Sequence, residues 1–158
     1  TPCIPFQYVI DGCYARAHQM RRIITERYGY CCEKVFSFAT EDPDTLAVKA
    51  DKWGGCCVEW WYHVAPLVRV RVKIKGLPKK VSFALAMVID PGMFDKPVLL
   101  STWLAAQENT TCNADAQVTS YSIQPGSAYA PSFGGFATDP NYVDTEATMI
   151  GYSGLTTC

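Results

Sequence analysis

Val68-Arg69-Val70-Arg71-Val72-Lys73-Ile74-Lys75 runs into Gly76-Leu77-Pro78 and returns as the apolar segment Val81 to Ile89, closed by Asp90-Pro91-Gly92. The first part alternates apolar and basic residues, the period of two that a half-buried antiparallel strand produces, with Arg69, Arg71, Lys73 and Lys75 on a wet face. Gly76-Leu77-Pro78 supplies turn chemistry, and Pro91, which cannot donate to a ladder, stops the returning strand. An antiparallel hairpin is therefore predicted. A turn centred near residue 78 sets Asp90 opposite residue 66.

Before the hairpin, Cys57 to His63 is a run of strand formers rich in aromatics. Alternation puts Cys57, Glu59, Trp61 and His63 on one face and Val58, Trp60, Tyr62 and Val64 on the other, and Pro66 is expected to interrupt the ladder. Nearer the start, Asp11-Gly12 offers a helix cap, and Cys13, Ala17, Met20, Ile24 and Tyr28 follow at helical spacing. The spacing predicts a helix from about Gly12 to Arg27, ended by Gly29, then a short strand from Cys31 to Phe38. Residues 39 to 55, charged and containing Gly54-Gly55, read as a loop with at most one helical turn. A second helix is predicted over about Val98 to Gln107; from Asn109 onward the composition predicts short strands at positions that the pattern does not fix. The class is α+β, with an N-terminal helix packed on an antiparallel sheet. The length of 158 residues suits one domain, since domains commonly run about 100 to 150 residues.

Composition excludes several functions. With 49% apolar and 18% charged residues the chain can bury a core. Fourteen Lys plus Arg against fifteen Asp plus Glu give a net charge of -1, so nucleic acid, which demands a basic excess, is not an expected partner. The longest apolar runs fall far short of the ~20 residues that span a bilayer, so no membrane span is expected. Eight cysteines, none arranged as the paired C-x-x-C sets of a structural zinc site, point to disulfides and an oxidising compartment. Adjacent pairs Cys31-Cys32 and Cys56-Cys57 are expected to bond to distant cysteines rather than to each other, with connectivity open. The sequence begins at Thr1 without an initiator Met or apolar leader, so the expectation is a secreted, mature chain, and a monomer.

Cys13 falls in the first turn of the first helix, where the positive end of the dipole favours a thiolate and free backbone N–H groups can bind an oxyanion. His63 and Asp90 fall at neighbouring strand ends. The second histidine, His18, is five residues after Cys13 on the same helix, about 140° around it, which leaves His63 as the candidate base. A thiol at a helix start, followed by His and Asp from an antiparallel sheet, is the logic of acyl transfer through a thioester. Each residue also has a plainer reading. Cys13 could be a half-cystine, His63 a base satisfied by a carbonyl, Asp90 an Asx-type turn residue, and His18 and Arg16 solvated or structural.

Pro2-Cys3-Ile4-Pro5-Phe6, Asp11-Gly12-Cys13-Tyr14-Ala15-Arg16-Ala17-His18, Cys32-Glu33-Lys34, Gly55-Cys56-Cys57-Val58, Tyr62-His63-Val64-Ala65 and Ile89-Asp90-Pro91 together resemble bacterial protein glutaminase. The likeness is dense from Cys3 to Phe94 and looser through Trp103, Thr111-Cys112 and Val118-Thr119-Ser120-Tyr121. It implies a transglutaminase-related core, a catalytic triad of Cys13, His63 and Asp90, no cofactor or metal, and deamidation of glutamine side chains in protein or peptide substrates. It is also compatible with an inhibitory pro-segment. The chain departs in its charged insertion between Phe38 and Gly54, in Glu59-Trp60-Trp61 beside the histidine, and after Ser132. Trp61, expected on the His63 face, is a candidate substrate-binding residue. The rival functions are transglutaminase-like acyl transfer to an amine, papain-like peptide cleavage, and a disulfide-stapled binding module without turnover.

Overall fold

The computed structural model describes residues 3–39, 45–74, 76 and 82–158. In chain order the elements are α1 (Cys13–Arg22), β1 (Glu33–Phe38), β2 (Leu46–Lys49), β3 (Cys57–Trp60), β4 (Tyr62–Lys73), β5 (Ser82–Val88), β6 (Val98–Leu99), α2 (Leu100–Ala105), β7 (Ser120–Gln124), β8 (Ala128–Ser132), β9 (Gly135–Thr138) and α3 (Val143–Gly151). α1 continues as one wide π turn over Ile23–Arg27, and Gly29, at φ 69°, ends it. The helix therefore runs as far as the apolar spacing requires.

The predicted hairpin is β4 and β5, the centre of an antiparallel sheet ordered β6-β5-β4-β1-β7. Alternation along β1 and β4 divides the core between the two faces of the sheet. Val35, Ala65 and Leu67 pack with Val88 and Trp103 of α2 on one face; Phe36 and Val64 pack with Cys13 and Ala17 of α1 on the other. α1 is itself wedged between β4 and α3, and Ala15 and Ala17, both wholly buried, allow the close approach. Burying this much apolar surface, at ~25 cal/mol per Å², is what fixes the helix on the sheet. In the far half of the hairpin Val70 and Phe83 are exposed, although the pattern gives the strand a buried face.

Several readings need correction. Pro66 does not interrupt β4. It pairs with Lys34, and its carbonyl accepts from Ile89 just past the end of β5. A residue's N–H and C=O point to the same neighbouring strand, so the missing donor faces that frayed end and not β1. The run from Cys57 to His63 is two strands, broken at a bend on Trp61. Residues 39 to 55 contain a strand, β2, as well as a 3-10 turn at Asp51–Trp53; β2 is short, and it is held by pairing with β3 rather than by any pattern of its own. The acidic run Glu41 to Asp44 and the turn residues Leu77 and Pro78 lie outside the described residues.

Two disulfides tie the loops down: Cys56–Cys158 and Cys57–Cys112. The adjacent pair Cys56-Cys57 thus bonds to distant partners as expected. Cys31 and Cys32 do not; they are free thiols, as are Cys3 and Cys13.

Candidate active site

Cys13 opens α1 behind Gly12, whose φ of 78° lets the chain turn abruptly into the helix. An added Cβ at Gly12 would meet the Tyr152 ring at 2.8 Å. Asp11 does not cap the helix. Its carboxylate accepts the Tyr152 hydroxyl at 2.5 Å, and among the described residues no side chain makes a capping hydrogen bond to the first turn. The leading N–H groups therefore stay available at the Cys13 end. The thiol is free and 6% exposed, which removes the half-cystine reading.

His63 is the second residue of β4 and 3% exposed. Asp90 follows β5, and the observed register, with Leu67 against Val88, shifts it one residue further than the centred turn predicts. That brings its Oδ2 to 2.8 Å from His63 Nε2. Asp90 also begins the turn, since its main-chain carbonyl accepts from Met93 and Phe94, while its carboxylate oxygen Oδ2 is engaged by His63 and Trp103 rather than by an Asx-type bond. The second ring nitrogen, Nδ1, is buried and meets no other hydrogen-bonding group among the described residues. With Nε2 committed to Asp90, Nδ1 is the nitrogen left for Cys13, whose side chain interacts with this imidazole. Burial, the largest influence, would lower the His63 pKa. Asp90 by charge and hydrogen bond, and then Cys13, outweigh it and lift the value to about 9. Burial likewise pushes the Asp90 carboxyl up, but His63, Trp103 and Arg16 reverse that and hold it below the ordinary carboxylate range.

Two tryptophans enclose the imidazole, and strand alternation predicts neither of them on this face. Trp60 stacks on His63 at 4.5 Å with the rings 8° apart, and its indole N–H donates to the Ile10 carbonyl. The expectation had put Trp61 on this face; the bend between β3 and β4 reverses the alternation and delivers Trp60 instead. Trp61 is half-buried, against Phe38 at 6.5 Å and Tyr62 at 4.5 Å. Trp103 of α2 stacks on the opposite side of His63 at 5.5 Å and donates its indole N–H to Asp90 Oδ2 at 2.8 Å. It thus touches both partners of the pair. Behind the imidazole, Ser37, paired with His63 across β1 and β4, donates to Gln107 Oε1 at 2.6 Å, and Gln107 donates to the Trp103 carbonyl. None of Trp60, Trp103, Ser37 or Gln107 carries a local signal for this brace, because each arrives from a separate element.

His18 and Arg16, one turn below, are buried rather than solvated. Lys34 Nζ donates to His18 Nδ1 at 2.6 Å and to the Ala128 carbonyl at 2.5 Å, and His18 Nε2 reaches the Asp139 carbonyl at 3.0 Å. Burial and then Lys34 push His18 down to about 4, so it is neutral and structural.

The arrangement, a thiol at a helix start facing an imidazole oriented by a carboxylate, can perform acyl transfer. The sequence profile of the glutaminase family matches residues 1–107. The chain belongs to the glutaminase family. No curated protein matches it. Among solved structures, this family member is similar to the crystal structure of protein-glutaminase, with a TM-score of 0.81 and 36% identity over 100% of this chain and 77% of that one. It is equally similar, at a TM-score of 0.81 and 36% identity, to the crystal structure of pro-protein-glutaminase, covering 100% of this chain and 51% of that one. The NMR structure of protein-glutaminase from Chryseobacterium proteolyticum gives a TM-score of 0.79 and 36% identity over 99% of this chain and 76% of that one. The chain thus spans about half the length of the pro-forms, and the helix-on-antiparallel-sheet fold of this glutaminase-family chain is that of protein-glutaminase.

Proposed function

We propose that the protein hydrolyses the side-chain amide of protein-bound glutamine to glutamate with release of ammonia, through Cys13, His63 and Asp90. The observation that carries this reading is His63 itself, bonded to Asp90 on one nitrogen and left with Cys13 on the other. In the resting state a Cys13 thiolate faces a His63 imidazolium. The thiolate attacks the γ-carboxamide carbon, the leading N–H groups of α1 take the oxyanion, and His63 gives its proton to the departing nitrogen, which leaves as ammonia. The resulting thioester is attacked by water, whose proton His63 accepts; collapse frees glutamate and the Cys13 sulfur. Asp90 keeps the imidazole in place and stabilises its charged form. Trp61 lines the substrate approach, a role supported by its contacts with Tyr62 and Phe38, which both pack against the Cys13 cluster. The reading requires no metal or cofactor. A single domain fits the continuous sheet, two disulfides fit secretion, and the likeness to pro-forms fits a pro-segment that blocks the site before export.

The test is ammonia release from casein by the wild type and by Cys13→Ala, with the mass of the substrate followed in parallel. Ammonia with the mass change of an NH-to-O exchange, no cleavage, and none of either from the variant is the expected result. Crosslinked casein would move the assignment to amine transfer, shortened casein to a peptidase, and an unreactive Cys13 to a binding module.

A further inference from the structure

Arg16 sits one helical turn after Cys13 and is 4% exposed. Taking a guanidinium out of water is costly unless charge or hydrogen bonds compensate it. The hydrogen bonds are present: Nη1 donates to the Tyr8 carbonyl at 2.5 Å and to the Asp11 carbonyl at 2.6 Å. Those two carbonyls belong to the strip of chain that leads into Gly12 and Cys13, so Arg16 fixes the path by which the nucleophile enters the helix. A carboxylate partner is missing, for Arg16 makes no ion pair among the described residues. Burial works against its charge, and the groups that favour it when ionised are, in order, Cys13, Asp90, Asp11 and Tyr152, the last of which is a neutral phenol donating to Asp11. Of these Asp90 is already bonded to His63 and Trp103, and Asp11 to Tyr152.

We propose that Arg16 is a positioning residue of the Cys13 centre: its buried guanidinium anchors the Tyr8–Asp11 approach and supplies the fixed positive charge against which the Cys13 thiolate is held. This rests on the reading of Cys13 as the nucleophile. Helix dipole and His63 act on the same sulfur, but His63 gives up its proton during the reaction, whereas Arg16 cannot. Arg16 therefore keeps the sulfur anionic when the thioester collapses and His63 is changing charge. The other charged or titratable groups facing Cys13 are Tyr14 of α1, Lys34 of β1, and Tyr62 and His63 of β4. Burial, then Cys13, raises the Tyr62 phenol, so it stays neutral, and Lys34 is engaged with His18 and Ala128. Neither can substitute for the guanidinium.

The test is the rate of iodoacetamide alkylation of Cys13 against pH, measured in the wild type, Arg16→Gln, Arg16→Met and Arg16→Lys, with thermal melting of each. In the wild type a single fast site at Cys13 is expected; its absence would overturn the nucleophile reading and this inference with it. Given that site, R16Q, which keeps donors for the two carbonyls but not the charge, should move the midpoint of the rise in rate upward by about one pH unit or more. R16M should do the same and provides a second measurement if R16Q does not fold. R16K should return the midpoint to within a few tenths of the wild-type value. A purely structural Arg16 would lower the melting temperature of all three variants and leave the midpoint where it was. A neutral variant with the wild-type midpoint would overturn the proposal while leaving the reading of Cys13 intact.

Discussion

His63 holds its proton at neutral pH because Asp90 and Cys13 together overcome the cost of burying a charged ring. By NMR its imidazole should titrate near pH 9 in the wild type, and at a lower pH in Cys13→Ala, where one of the two supports is gone. Trp103 is the residue whose contribution is easiest to isolate. Trp103→Phe keeps an aromatic face on His63 but removes the donor to Asp90; a hydrogen bond to a charged group contributes about 1.5 to 3 kcal/mol, so a fall in kcat/KM of at least tenfold is expected. An unchanged rate would mean that Asp90 needs no second donor. At this scale the sequence is informative about residue types and poor about partners. Cys13 announces itself by its place after Gly12, and His63 and Asp90 by their places at strand ends. Trp103 gives no such notice, because its placement depends on α2 packing against Val35, Ala65 and Leu67 of β1 and β4, which lie far away in sequence.

Elements were legible where one pattern sufficed. Helical spacing marks α1 as far as Arg27, and alternation marks β4 and β5. What failed were features decided by pairing. The bend at Trp61 swaps the tryptophan that faces His63, and β2 is a strand because β3 offers it an edge. The region after Ser132 hides α3 for a related reason. Its first turn is capped from a distance, with Asp139 accepting from the Val143 and Thr145 N–H groups, while Tyr142 takes the left-handed conformation at φ 58°. A cap four residues ahead of the helix, with a bulky aromatic where a small residue is usual, lies outside the ordinary start signal. At the start of α1, Gly12→Ala tests how much strain the turn can absorb. The left-handed conformation costs a non-glycine residue about 1 to 2 kcal/mol, and the new methyl meets the Tyr152 ring. Urea denaturation should show a loss of at least that size, and Cys13 should alkylate more slowly.

Across the whole molecule, two buried bases respond to pH in opposite directions. His63 has a folded pKa raised to about 9, so its contribution to stability is complete below about pH 6.5 and is lost as the pH rises through about 9. Lys34 is pushed down to about 7, by burial first and Arg21 second, so stability is gained as the pH rises from about 7 toward its ordinary value. Between pH 7 and 9 the two offset each other. In Lys34→Met only the His63 trend remains, and its melting temperature should fall more steeply over that range than that of the wild type. Disulfides set the other molecule-wide constraint. Breaking Cys57–Cys112, which closes a 55-residue separation, by Cys57→Ser with Cys112→Ser should cost about 4 kcal/mol in equilibrium unfolding. The placing of these bonds has a kinetic corollary. Cys56 and Cys57 are chain neighbours bonded to partners 102 and 55 residues away, so either sulfur can exchange partners with the other once a thiolate starts the reaction. The chain contains four free thiols that could start it, and of these Cys13 is the one kept from both bridges by burial in the native core. On melting, that shield disappears, and the Cys13 sulfur becomes a scrambling agent. Repeated heating at pH 8.5 should leave a growing population of mispaired isomers, visible by non-reducing peptide mapping, and Cys13→Ala should recover its native pairing through more cycles than the wild type.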